Sequence, residues 1–95
     1  MDALKVVEKF GANYVLYELV GVVNSYTLDE LKGKVYTIVV DSNLVLDLSS
    51  VEAIDSAGVG LIMGGFNEAE EFDHRLYIMN PSPVVRQALD DTGFS

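Results

Sequence analysis

The segment Leu44-Val45-Leu46-Asp47-Leu48 constrains the fold more than any other stretch of the chain. It is almost continuously apolar, which reads as a strand buried on both faces. Helical patterns lie on either side of it, and a further strand follows. Strands separated by helices imply parallel pairing with right-handed crossovers. An all-helical or purely antiparallel architecture is therefore not expected.

The flanking segments supply the remaining elements. Leu4–Phe10 and Tyr14–Val20 are rich in β-branched and aromatic residues, and Gly11-Ala12-Asn13 between them reads as a hairpin turn. Thr27-Leu28-Asp29-Glu30 has the form of a capping box, which predicts a helix to about Val39 with Leu28, Leu31, Val35 and Ile38 buried. A second helix is predicted over roughly 57–72, with Ile62, Gly65, Phe66, Ala69 and Phe72 on one side. Arg75–Met79 is a strand candidate. Ser82 as cap and Pro83 at the first helical position then open a third helix, and Gly93 is a natural stop. The order β-β-α-β-α-β-α predicts an α/β fold: a mixed sheet of four to five strands with helices mainly on one face. The 95 residues read as a single domain. Because the chain ends almost directly after the third helix, a final short element is expected to be missing.

Composition narrows the function classes. Six basic residues against fifteen acidic ones give a net charge of −9. Such a surface repels phosphate backbones and anionic lipid, so nucleic acid and membranes are poor partners and a basic protein surface is a better one. The alternative is that the charge serves solubility alone. The longest apolar run, Tyr14–Val23, is interrupted by Glu18 and Gly21 and falls short of the roughly 20 residues a spanning helix needs. There are no cysteines, hence no disulfide, thiolate metal site or thiol nucleophile. No signal-peptide pattern opens the chain, and a cytoplasmic monomer is expected. No Walker loop, zinc spacing or paired nucleophile and histidine appears, so no catalytic residue, metal or cofactor is assigned. The single histidine, His74, reads as a solvated turn residue. Asp47 reads as a strand-end carboxylate held by backbone N–H groups.

The most informative stretch runs from Leu46 to Gly60, Leu-Asp-Leu-Ser-Ser-Val-Glu-Ala-Ile-Asp-Ser-Ala-Gly-Val-Gly. A buried strand ends in Asp-Leu-Ser, and after an apolar residue Asp-Ser-Ala-Gly-Val-Gly opens a helix. This pattern resembles the signature of the STAS domain, the family of bacterial anti-sigma factor antagonists. Gly21 to Thr27 resembles the first loop of that family, and Pro81 to Leu89 its last helix. The family often has an acid where this chain has Asn24, and Gly-Gly where it has Asp73-His74.

The resemblance implies a phosphorylation-switched binding module. In similar proteins an anti-sigma factor with a serine kinase fold phosphorylates the serine after the aspartate, which breaks the complex, and a serine phosphatase restores it. Carried onto this sequence, the phosphoacceptor is Ser56, beside Asp55. The implied partner-binding set is Asn24, Asp55, Ser56, Ala57, Gly58 and Gly60. Read from spacing alone, Ser56 is first of all an N-cap worth about 1 kcal/mol. A phosphoryl group there would not unfold the helix start, but would add about −1.5 to −2 charge and considerable bulk. Four glycines in one helix, Gly58, Gly60, Gly64 and Gly65, each cost about 0.5–1 kcal/mol relative to alanine. The first pair could admit a partner's backbone, while the second pair fits tight packing of helix on sheet. Two other functions compete: a STAS-type scaffold that binds constitutively, and a small enzyme or nucleotide-binding protein.

Overall fold

A computed structural model describes residues 4–93 of the chain. Strand β1 (Leu4–Phe10) and strand β2 (Tyr14–Val23) form the hairpin. Helix α1 (Leu28–Asp41) leads into strand β3 (Asn43–Ile54). Helix α2 (Ser56–Glu71), strand β4 (Leu76–Met79) and helix α3 (Pro83–Asp91) complete the order. The sheet order is β1-β2-β3-β4, with β1 antiparallel to β2 and the other two pairings parallel. This is the expected mixed sheet.

The alternation along the strands decides which face is covered. Val15, Tyr17 and Leu19 of β2 and Leu44, Leu46 and Leu48 of β3 are buried, as is Leu76 of β4. The register sets Val15 opposite Leu44 and Leu44 opposite Leu76, so these residues share one face. They form one core with Leu31, Val35 and Val39 of α1, Leu61, Ile62 and Ala69 of α2, and Val85 and Leu89 of α3. On the opposite face Tyr14, Val20, Tyr77 and Met79 are exposed, and Val45 and Asp47 are only half-buried. The central strand is thus buried on one face, not on both. Its apolar run reflects an uncovered sheet face that still carries Val45. No helix among the described residues is long and apolar enough to cross a membrane.

Several local expectations are corrected. β3 continues to Ile54, past the Asp-Leu-Ser at which the buried strand is expected to end, so Ser49 and Ser50 lie within the strand. The capping box at Thr27 does not form. Thr27 is the N-cap residue of α1, but its hydroxyl donates to the Val22 carbonyl at 2.9 Å and accepts the Asn24 N–H at 3.0 Å. The turn that leaves β2 captures that hydroxyl before the helix can use it. Ser82 precedes α3, yet its buried hydroxyl donates to the Val51 carbonyl at 2.8 Å and caps nothing. His74 is half-buried, with Nδ1 at 2.8 Å from the Val39 carbonyl. A carbonyl can only accept, so Nδ1 carries the proton, and the imidazole ties the turn after α2 to the end of α1.

Phe72 is exposed, and the buried side of α2 is carried by Gly58, Val59, Leu61, Ile62, Gly65 and Ala69. A Cβ on Gly65 would lie 2.9 Å from Val35 and 3.0 Å from Leu76, and one on Gly64 would meet the Tyr36 hydroxyl. The second glycine pair therefore admits α1 as much as the sheet.

Candidate functional site

The end of β3 and the start of α2 meet the loop that follows β2. Gly21, near the end of β2, has φ +115, a conformation that side-chain-bearing residues rarely adopt. It sits where the β2–β3 register shifts, at the irregularity that sends the chain into the 24–27 loop. That loop is built around Asn24. Its Oδ1 accepts the N–H groups of Tyr26 at 2.9 Å and Thr27 at 3.1 Å, a local side-chain turn that neutral asparagine supports well.

Asp55 joins the two segments. Its backbone is extended, with φ −105 and ψ −177, and its N–H donates to the Val23 carbonyl at 3.2 Å. One carboxylate oxygen accepts the Gly58 N–H at 2.9 Å and the other accepts the Ser25 N–H at 3.3 Å. Asp55 is thus the N-cap of α2, and a carboxylate is well suited there because it faces the positive end of the helix dipole. The alternative reading of Ser56 as the cap is corrected. Ser56 is the first helical residue, is exposed, and its hydroxyl makes no hydrogen bond within the described residues.

The remaining expected residues separate by role. Ala57 is half-buried beside Ser56. A Cβ on Gly58 would lie 2.7 Å from Ile54 and 2.9 Å from both Cγ1 and the carbonyl of Val23, so close packing of α2 on the strand ends accounts for that glycine. Gly60 is exposed, with open space around its missing Cβ. Sequence reasoning missed the surface it opens onto. A groove of about 360 Å³ runs between the first turns of α2 and the end of α3, lined by the apolar Ile54, Val59, Met63 and Ala88 and by the polar Asp55, Ser56 and Asp91. Only the tertiary position of α3 brings Ala88 and Asp91 there, so no local signal marked them. Tyr26, beside the Ser25–Asp55 bond, is 94% exposed. Among the described residues no group of three or more acidic or histidine side chains is placed to hold a metal ion.

The chain and its fold are similar to known proteins. The chain is 26% identical over 82 residues to an anti-sigma F factor antagonist from Lysinibacillus sphaericus, covering 83% of this chain and 70% of that protein. Its fold matches that of the anti-sigma factor antagonist SpoIIAA in its unphosphorylated form with a TM-score of 0.80 at 23% identity, over 96% of this chain and 81% of that one. The phosphorylated form of the Bacillus cell fate determinant SpoIIAA matches with a TM-score of 0.77 at 22% identity, over 96% and 84%. An anti-sigma factor antagonist from Mycobacterium paratuberculosis gives a TM-score of 0.78 at 22% identity, over 95% and 78%. The STAS domain model matches residues 4–95. With its sheet order, its Asp-Ser-Ala-Gly helix start and this match over nearly the full length, the chain belongs to the STAS domain family.

Proposed function

We propose that the protein is an anti-sigma factor antagonist whose binding is switched by phosphorylation of Ser56. In this reading it acts in the cytoplasm as a monomer and not as an enzyme. It binds an anti-sigma factor while unmodified. The kinase activity of that partner adds the phosphate, and a serine phosphatase removes it. Asn24, Asp55, Ser56, Ala57 and Gly60 form the partner surface, and Gly58 shapes it from within.

The observation that carries this reading is the division of labour at the start of α2. Asp55 holds the helix end, so the Ser56 hydroxyl is exposed and makes no hydrogen bond within the described residues. A kinase can reach it, and its modification breaks no hydrogen bond of the fold. A phosphate at this first helical position sits near the helix N-terminus, where negative charge is tolerated. The similarity of this chain to a relative solved in both unphosphorylated and phosphorylated forms supports a switch that leaves the fold in place. The partner loses its seat because a bulky, hydrated dianion cannot be buried against apolar surface without a large desolvation cost.

The test is incubation with the host's anti-sigma factor and ATP, followed by mass spectrometry of the intact protein and its peptides. One phosphate on Ser56, and none on a Ser56→Ala variant, is the expected result. Stoichiometric modification of Ser56→Ala would reject the site. A chain that binds the anti-sigma factor but never accepts phosphate would be a constitutive scaffold.

A further inference from the structure

Glycine inside a helix is destabilising relative to alanine, so each one calls for a reason. Gly58, Gly64 and Gly65 have one, because a Cβ at each would press on Ile54, Val23, Tyr36, Val35 or Leu76. Gly60 has none among the described residues: no other element comes within 4 Å of where its Cβ would be. Gly33 of α1 is equally open, but it does not line the groove between α2 and α3. Gly60 lies in the groove between α2 and α3, next to Val59, Met63 and Ala88. A side chain there would fill the groove.

The charge around the groove selects its occupant. Asp55 and Asp91 both line it, and none of the described residues that line it is basic. The chain as a whole carries −9, so a second copy would bring like charge to an acidic rim. We propose that this groove seats an apolar side chain presented by a basic amphipathic segment of the anti-sigma factor, and that Gly60 keeps the seat open. This rests on the reading of the protein as an anti-sigma factor antagonist. It adds α3 to the partner surface and states what the partner must present: an apolar residue flanked by lysine or arginine. It also locates the switch, because Ser56 borders the same groove and its phosphate would stand in the mouth of the seat. The basic flanks offset part of the added charge, so the release comes from bulk and desolvation.

Calorimetric titration of the host's anti-sigma factor into five proteins tests this: wild type, Gly60→Ala, Gly60→Leu, Asp91→Asn and Ser56→Asp. Gly60→Ala should melt above wild type, because alanine favours the helix, and yet bind more weakly by about threefold to tenfold. Gly60→Leu should lose at least about thirtyfold in affinity by filling the seat. Asp91→Asn should bind more weakly at low salt, with the difference from wild type fading as salt is raised. If Gly60→Leu binds as wild type while Ser56→Asp does not, the groove is not the seat and the antagonist reading survives. A Gly60→Ala protein that melts below wild type would also overturn the proposal, since Gly60 would then have an internal role. If unmodified wild type fails to bind the anti-sigma factor, the antagonist reading falls and this inference falls with it.

Discussion

Asp55 and Ser56 are neighbours with opposite duties. Asp55 bonds to both segments that it joins: its N–H to Val23, its carboxylate to Gly58 and Ser25, and its carbonyl to the Val59 N–H at 3.0 Å. Truncating it removes the cap of α2 and loosens the 24–27 loop. Asp55→Ala should therefore lose about 1–2 kcal/mol of stability by urea denaturation. Ser56→Ala, which gives up no internal bond, should stay within about 0.5 kcal/mol of wild type. Equal losses in the two variants would show that the capping roles are wrongly divided. The sequence pattern Asp-Ser allows either residue to cap. The choice depends on which one takes the extended backbone, and the pairing of the Asp55 N–H with Val23 settles that through a contact 32 residues away in the chain.

At the level of elements, the helix and strand periods were readable nearly everywhere because each amphipathic segment has one covered face. Helix α1 shows both what such patterns can tell and what they cannot. Its buried positions Leu31 and Val35 follow from spacing, while the cap expected at Thr27 was lost to the turn beside it. The same holds for Ser82, whose hydroxyl is taken by Val51. Side-chain hydroxyls are short and choose the nearest free backbone group, and that group is set by tertiary structure. The length of β3 was underestimated because the polar Ser49, Ser50 and Glu52 interrupt its apolar pattern, although all three sit exposed within the strand. The central site motif was legible, whereas the α3 side of the groove was not, since no sequence spacing relates Gly60 to Ala88 and Asp91.

The glycines provide element-scale tests of opposite sign. Gly65→Ala places a methyl against Val35 and Leu76 where α1, α2 and β4 converge, and should destabilise the protein by about 1–3 kcal/mol. Gly33→Ala meets open space in the middle of α1 and should stabilise it by about 0.5–1 kcal/mol. Paired thermal melts would check both. A stabilised Gly65→Ala would mean that α1 and α2 are less closely packed than described.

The molecule as a whole is an acidic sheet covered by helices on one face, and its least ordinary titrating group lies under that cover. Tyr17 on β2 is buried, and its phenol is pushed up to about 12 by burial, by the negative charge of Glu8 and by a hydrogen bond to Glu8. An unfolded tyrosine ionises at about pH 10. The folded state therefore keeps a proton that the unfolded state releases. The contribution of Tyr17 to stability is complete below about pH 10 and is lost as pH rises through about 12. Melting temperature followed across this window should fall less steeply in Tyr17→Phe than in wild type. Parallel curves would show that Tyr17 is not the group responsible.

The central claim is that one exposed hydroxyl at the start of α2 controls partner binding without disturbing the fold. Its most direct test is the affinity of the anti-sigma factor for three forms of the protein, measured by calorimetry beside their melting temperatures. Ser56→Asp adds a charge but less bulk than a phosphate, and it should weaken binding by about 1–3 kcal/mol, the range for an unpaired polar or charged group at an interface. Protein phosphorylated on Ser56 should bind more weakly still. All three should melt at nearly the same temperature, because a negative group is tolerated at a helix N-terminus. Unchanged affinity in the phosphorylated form, or a loss of affinity that merely follows a loss of thermal stability, would contradict the account.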